Sequence, residues 1–247
     1  TIETYERVQK EGYEPENIIF MGDSAGGNLV ITSMLKLLED KKPLPGAGVC
    51  FSPWLNLSEP EMRGSYVYNQ ATDIIPSDKI SHALQAYLGD SFKESCDNPL
   101  VSPICSNRIG ELPPLFITCG SGEVLLDQSL DFASNASYQG HKDVIVKTIP
   151  YECHSSILLA LWGQTSATTT MTEMASWLTS LYPSPHHSSS FDHPIHKFLH
   201  QSFNPDVPFA NMLNVHEDDK VNDLEEYASI YDKKVSDLKT LKNEANQ

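Results

Sequence analysis

The sequence predicts an α/β fold: a parallel sheet with helices on its faces and an inserted segment interrupting the rhythm. Three observations predict it. Short apolar runs of strand length recur along the first 150 residues. Amphipathic stretches of helical length separate most of them. The runs are continuous rather than alternating, as suits strands covered on both faces. A strand, a crossover helix and a second strand in that order close a parallel pair.

Each element has its own justification. "TIETYERVQKEGYEPEN" (1–17) is polar and helix-forming until Pro15 breaks it. "IIFMG" (18–22) is a short apolar run bounded by turn residues, read as a strand buried on both faces. "AGGNLVITSMLKLLED" (25–40) follows as an amphipathic helix that stops before Pro43. "GAGVCFSPWLNL" (46–57) gives a second strand and its exit loop. Residues 60–110 are irregular, with a helical piece at 77–89, and form the candidate lid. "PPLFITCG" (113–120) is a third strand, 129–140 a helix ending at Gly140, and "DVIVKTIP" (143–150) a fourth strand. A long helix over roughly 155–180 closes this domain, residues 1–181. Residues 182–218, rich in Pro, Ser and His, read as a linker. Residues 219–247 read as an acidic helical tail, whose narrow apolar stripe (Val221, Leu224, Ala228, Tyr231, Val235, Leu238) offers a protein contact.

Composition excludes some functions. With 33 acidic and 17 basic residues the net charge is −16, which argues against nucleic acid, because phosphate binding needs clustered Lys and Arg. No apolar run reaches the ~20 residues of a membrane span. Membrane association would therefore need a segment upstream of Thr1. The secretory pathway and the cytoplasm both stay open as compartments. Five scattered cysteines without a C-x-x-C pair support neither a zinc ribbon nor a redox motif. His193, His196 and His200 have helical spacing in the linker, but no carboxylate or Cys partner accompanies them, so no metal site is expected.

Chemistry concentrates at "FMGDSAGGNL" (20–29). Gly22-Asp23-Ser24-Ala25-Gly26 fits G-x-S-x-G, in which a serine sits on a strained strand-to-helix turn with its hydroxyl exposed. Side chains at Gly22 and Gly26 are expected to collide there. The Ala25 amide opens the helix and can meet a developing oxyanion. The competing reading is a plain small-residue turn or a phosphate loop.

A serine nucleophile needs a general base. Six of the nine histidines follow residue 183, leaving His82, His141 and His154. His82 lies in the candidate lid and His141 at the opposite end of the sheet. His154 follows the fourth strand, and sites in open parallel sheets form at the carboxyl ends of strands. The loop after the third strand offers Glu123, nearer the strand end, and Asp127 about one helical turn further on, in position to cap or salt-bridge the next helix.

The segments "GDSAGGNL" (22–29), "SPWLNLS" (52–58), "NPLVSP" (98–103) and "LPPLFITCGSGEVLLDQS" (112–129), with the His154 region, resemble in content and order the hormone-sensitive-lipase branch of the α/β-hydrolases. That branch includes arylacetamide deacetylases and fungal steryl acetyl hydrolases. The resemblance covers residues 18–180 and implies a serine esterase. Ser24 becomes the nucleophile, His154 the base, Glu123 the acid, Ala25 the oxyanion donor and Asp127 ancillary. No cofactor is implied, and the partner is a small-molecule ester, such as a sterol acetate. The lid aromatics and aliphatics Tyr66, Tyr68, Ile74, Ile75, Leu84 and Tyr87 are candidates for an apolar acyl pocket or for lid core.

Two departures stand out. Where the family often has a bulky apolar residue two positions after the histidine, this chain has "ECHSSILL". The family's upstream His-Gly-Gly oxyanion loop has no counterpart in residues 1–23. The resemblance is thus to the C-terminal portion of the fold, with the nucleophile strand left at an edge. A piece of a longer enzyme, a degenerate short product, and a sheet completed by another chain all fit. A catalytically inactive, hydrolase-like binding protein is the alternative function.

Overall fold

The computed structural model describes residues 1–57, 64–89, 95 and 97–182. The chain separates into two units, Thr1–Leu181 and Tyr182–Gln247. The expected linker, its histidines and the tail helix lie outside the described residues.

Four parallel strands form one sheet in chain order: β1 (Ile19–Asp23), β2 (Ala47–Phe51), β3 (Leu115–Gly120) and β4 (Val144–Ile149). Register runs Asp23 beside Phe51, Phe51 beside Thr118, and Gly120 beside Ile149. Because all four strands run the same way, these residues mark one rim, and the chemistry-bearing loops leave from it.

The helices are α1 (Ile2–Lys10), α2 (Ala25–Glu39), α3 (Ser65–Tyr68), α4 (Ser77–Leu88), α5 (Leu126–Tyr138) and α6 (Thr165–Leu181). The main core joins α2 and α5 to the sheet through Val30, Ile31, Met34, Leu115, Ile117 and Phe132. Tyr5 of α1 meets Phe20 edge to face at 5.1 Å, which suits the aromatic quadrupoles. Phe116 points to the other face, against Trp177 of α6.

Two expectations need correction, and one open alternative is decided. The long final helix is two pieces: a 3₁₀ stretch, Ser156–Trp162, then α6, separated at Gly163 with φ +76°. A left-handed residue terminates one helix and re-aims the chain before the next. The strand at β1 is not buried on both faces: Phe20 is buried, but Met21 is 43% exposed. Among the described residues β1 pairs only with β2, whereas β2 and β3 are buried throughout. Within the inserted segment, Tyr66, Ile80 and Leu84 are buried with Leu57, Val124 and Leu125, and Ile75 packs on them. They are core, while Tyr68 and Tyr87 point to solvent. The six residues therefore do not line a common pocket.

Among the described residues no helix is long and apolar enough to cross a membrane. Within α5 the Asn135 side-chain amide donates to the Ile104 carbonyl and accepts from Gln139 Nε2.

Candidate active site

Ser24 stands between β1 and α2 with φ +52° and ψ −120°, a conformation that side chains rarely adopt. Main-chain bonds hold it there. Its amide donates to Phe51 O at 2.8 Å, extending the β1–β2 ladder by one residue. Its carbonyl accepts from Asn28 and Trp54. A Cβ at Gly22 would run into the Gly26 carbonyl, so only glycine lets the strand pass the helix start. At Gly26 the expectation fails: a Cβ there meets nothing within 4 Å. The tight position is Gly27, whose Cβ would lie 2.6 Å from Pro53 Cβ.

The rim loops bring two of the predicted partners to this turn. His154 Nε2 lies 2.8 Å from Ser24 Oγ, hydrogen-bond distance. Glu123 Oε2 faces His154 Nδ1 at 3.7 Å, a charge-pair separation rather than a hydrogen bond. Asp127 is elsewhere: its Oδ2 accepts the Ser65 amide at 2.8 Å and so ties α5 to α3. His82 is exposed on α4. His141 Nε2 lies 3.2 Å from Pro113 O, just before β3 and at the far rim of the sheet.

Glu123 is fully buried and His154 is 4% exposed. Burial disfavours the charged form of each. It pushes the Glu123 carboxyl up to about 8, opposed by the Ser52 hydroxyl and helped by the negative charge of Asp73. It pushes the His154 imidazole down to about 4. His154 is therefore neutral at neutral pH, with Nε2 facing the Ser24 hydroxyl.

The base loop crosses close over the end of β3. A Cβ at Gly120 would strike the Glu152 carbonyl, and the Gly122 amide donates to that carbonyl at 2.8 Å. Ser155, also left-handed at φ +53°, donates its amide to Ser52 Oγ at 3.0 Å and its hydroxyl to Asp23 Oδ2 at 3.2 Å. Ser155 thus latches the His154 loop to β1 and to the exit of β2.

Sequence reasoning missed Asp73. It lies 2% exposed in the inserted segment and accepts the amides of Val124 at 2.7 Å and His154 at 2.9 Å. Its signal was weak: an acidic residue between a polar turn and "IIP", in a stretch without periodicity. Among the described residues, no group of His, Cys, Asp and Glu could hold a metal ion.

A family model described as the α/β-hydrolase fold matches residues 2–158. The chain belongs to that family. This α/β-hydrolase is 32% identical over 135 residues to an esterase of Acinetobacter venetianus, covering 54% of this chain and 43% of the relative. It is 26% identical over 147 residues to a Schizosaccharomyces pombe protein provisionally named a steryl acetyl hydrolase, covering 54% of this chain and 37% of that one. A crystal structure of a hormone-sensitive-lipase homologue from a metagenome library superposes with TM-score 0.64 at 30% identity, covering 72% of this chain and 59% of that one. This α/β-hydrolase thus spans less than half the length of these two curated relatives.

Proposed function

We propose that this chain carries the serine machinery of a carboxylic-ester hydrolase. The observation behind the reading is the 2.8 Å contact between His154 Nε2 and the hydroxyl of Ser24, a residue held at positive φ on a strand-to-helix turn. Ser24 Oγ attacks the acyl carbonyl carbon as its proton passes to His154 Nε2. The carbonyl electron pair moves to oxygen, and the Ala25 amide at the start of α2 donates to that oxyanion. Collapse breaks the bond to the alcohol, which leaves with the proton from Nε2. Water then attacks the acyl-serine carbonyl and gives its proton to His154. Release of the carboxylic acid restores the Ser24 hydroxyl. Glu123 orients the imidazole and, once ionised, stabilises the imidazolium formed in both halves.

The substrate class we infer is a short acyl group on a bulky apolar alcohol, such as a sterol acetate. The names of two relatives support it, the steryl acetyl hydrolase above and a Streptomyces hygroscopicus acetyl-hydrolase.

A fluorophosphonate ester probe tests the reading. The wild-type chain should label, and Ser24→Ala should not. Ser24→Ala and His154→Ala should each lower p-nitrophenyl acetate hydrolysis by up to about 10⁶-fold. A folded wild-type chain that neither labels nor hydrolyses would leave the α/β-hydrolase a binding protein and overturn the proposal.

A further inference from the structure

We propose that Asp73 is a positioning residue, a single carboxylate in the inserted segment that fixes the acid loop and the base loop at the spacing Glu123 and His154 need. The inference rests on the hydrolase reading above. Its geometry stands independently.

Asp73 Oδ2 accepts the amide of Val124, the residue that follows Glu123, at 2.7 Å. Asp73 Oδ1 accepts the amide of His154 itself at 2.9 Å, and that of Ile74 at 2.7 Å. One side chain thus fixes the main chain at two of the three reacting positions. The bonds run over sequence separations of 51 and 81 residues, so no local turn explains them. Burial raises the carboxyl above its usual range, and the amides draw it back down. A buried carboxylate is worth its desolvation only where such donors converge on it.

The neighbours of Asp73 reinforce one side only. Asn69 Nδ2 donates to the carbonyls of Ser121 and Glu123, at 3.0 and 2.9 Å. Thr72 Oγ1 donates to Gly122 O at 2.9 Å. Ser65 Oγ donates to Val124 O at 3.0 Å and accepts the Asp127 amide at 3.1 Å. These five contacts clamp the acid loop. Asp73 alone among this group also reaches the base loop. The consequence lies in the 3.7 Å between Glu123 and His154. That gap closes to hydrogen-bond length by a shift of less than one ångström, and it opens as easily. The spacing of the two loop backbones sets it: the Gly122 amide ties them at Glu152, and Asp73 spans them at Val124 and His154.

The test uses the full chain and Asp73→Asn. Asparagine keeps the shape but turns an N–H₂ either toward the Val124 amide or toward the amides of Ile74 and His154. The first readout is residue-resolved amide hydrogen exchange. Val124 and His154 should exchange at least ~10-fold faster in Asp73→Asn, the size expected for losing a charge-assisted bond, while Ile117 in β3 keeps its rate. The second is fluorophosphonate kinetics. The maximal labelling rate of Ser24 should fall by about 10–100-fold with the half-saturating probe concentration unchanged, a split that general destabilisation does not produce. A folded Asp73→Asn with wild-type protection at both amides, or with the wild-type labelling rate, overturns the proposal. Should the variant not fold, the wild-type chain decides. Val124 and His154 then must open together with similar protection, and unrelated protection overturns the inference. A wild-type chain that shows no Ser24-dependent labelling defeats the hydrolase reading, and the exchange pattern still judges the Asp73 clasp by itself.

Discussion

Ser24, the proposed nucleophile, and its two proposed partners are held by different means. Ser24 is held by main chain. A ladder bond to Phe51, carbonyl bonds to Asn28 and Trp54, and close backbone approaches at Gly22 and Gly27 leave it one conformation. Glu123 and His154 are held by side chains reaching in from elsewhere: Asn69, Thr72 and Asp73 from the inserted segment, and Ser52 from the exit of β2. Main-chain support resists most substitutions but fails wherever a Cβ intrudes. Side-chain support can be tuned one residue at a time, and each loss is local. The turn that must be strained is therefore built from backbone. The distance that must be adjusted is built from side chains.

The largest effect that tests this contrast is at the acid. Glu123→Gln removes the charge that stabilises the imidazolium, and ester hydrolysis should drop by about 10⁴-fold, as when the orienting acid of a triad is neutralised. Stability should move the other way. Between 4.5 and about 8 the folded chain keeps a proton on Glu123 that the unfolded chain releases, so this residue lowers stability as pH rises through that window. His154 acts oppositely between about 4 and 6.5, where the unfolded chain binds the extra proton. The two oppose each other from 4.5 to 6.5, and Glu123 stands alone from 6.5 to about 8. Denaturant melts should show wild-type stability falling across pH 6.5 to 8, with the Glu123→Gln curve flatter and crossing above it. Parallel curves would mean that Glu123 is ionised throughout and that burial does not govern it.

Next in size is the backbone side. Gly22→Ala drives a Cβ into the Gly26 carbonyl, a main-chain atom that cannot rotate away. It should cost about 3 kcal/mol, the upper range for overpacking. Gly27→Ala, pressed on Pro53, should cost somewhat less, because the neighbour is a ring at a loop rather than the helix backbone. Chemical denaturation measures both. Losses below about 0.5 kcal/mol would mean that the elbow yields and is not main-chain locked.

The same contrast explains what could be read from sequence. A site made of backbone constrains residue type at fixed spacing, so the elbow around Ser24 was legible in five letters. The sheet was legible because crossover connections impose parallel order and β2 and β3 are apolar throughout. Rim logic pointed to His154 and offered Glu123 and Asp127 together, since residues just past the carboxyl ends of β3 and β4 lie near the end of β1; the family resemblance singled out Glu123. Asp73 was not legible. Nothing local to it marks a residue whose partners are 51 and 81 positions away. The aromatic and aliphatic residues of the inserted segment stayed open between pocket and core for a related reason, since apolar side chains that pack together and those that line a pocket look alike in sequence. The break at Gly163 was missed because Ser, Thr, Leu and Trp on both sides are compatible with one continuous helix.

The smallest predicted effect is the sharpest test of the motif itself. Gly26 completes G-x-S-x-G, yet its Cβ would have open space and its φ is not left-handed. It sits in the first turn of α2, where alanine is the better helix former. Gly26→Ala should therefore leave stability unchanged or raise it by up to about 1 kcal/mol, through helix propensity and a less flexible unfolded chain. Chemical denaturation beside Gly22→Ala separates the two glycines. If they cost the same, the elbow acts as one rigid unit and the distinction between a packed and an open glycine is wrong. If Gly26→Ala keeps its stability and loses Ser24 labelling, steric demand at this position comes from the acyl group approaching Ser24, not from the fold. The motif would then combine a glycine the backbone requires with a glycine the reaction requires.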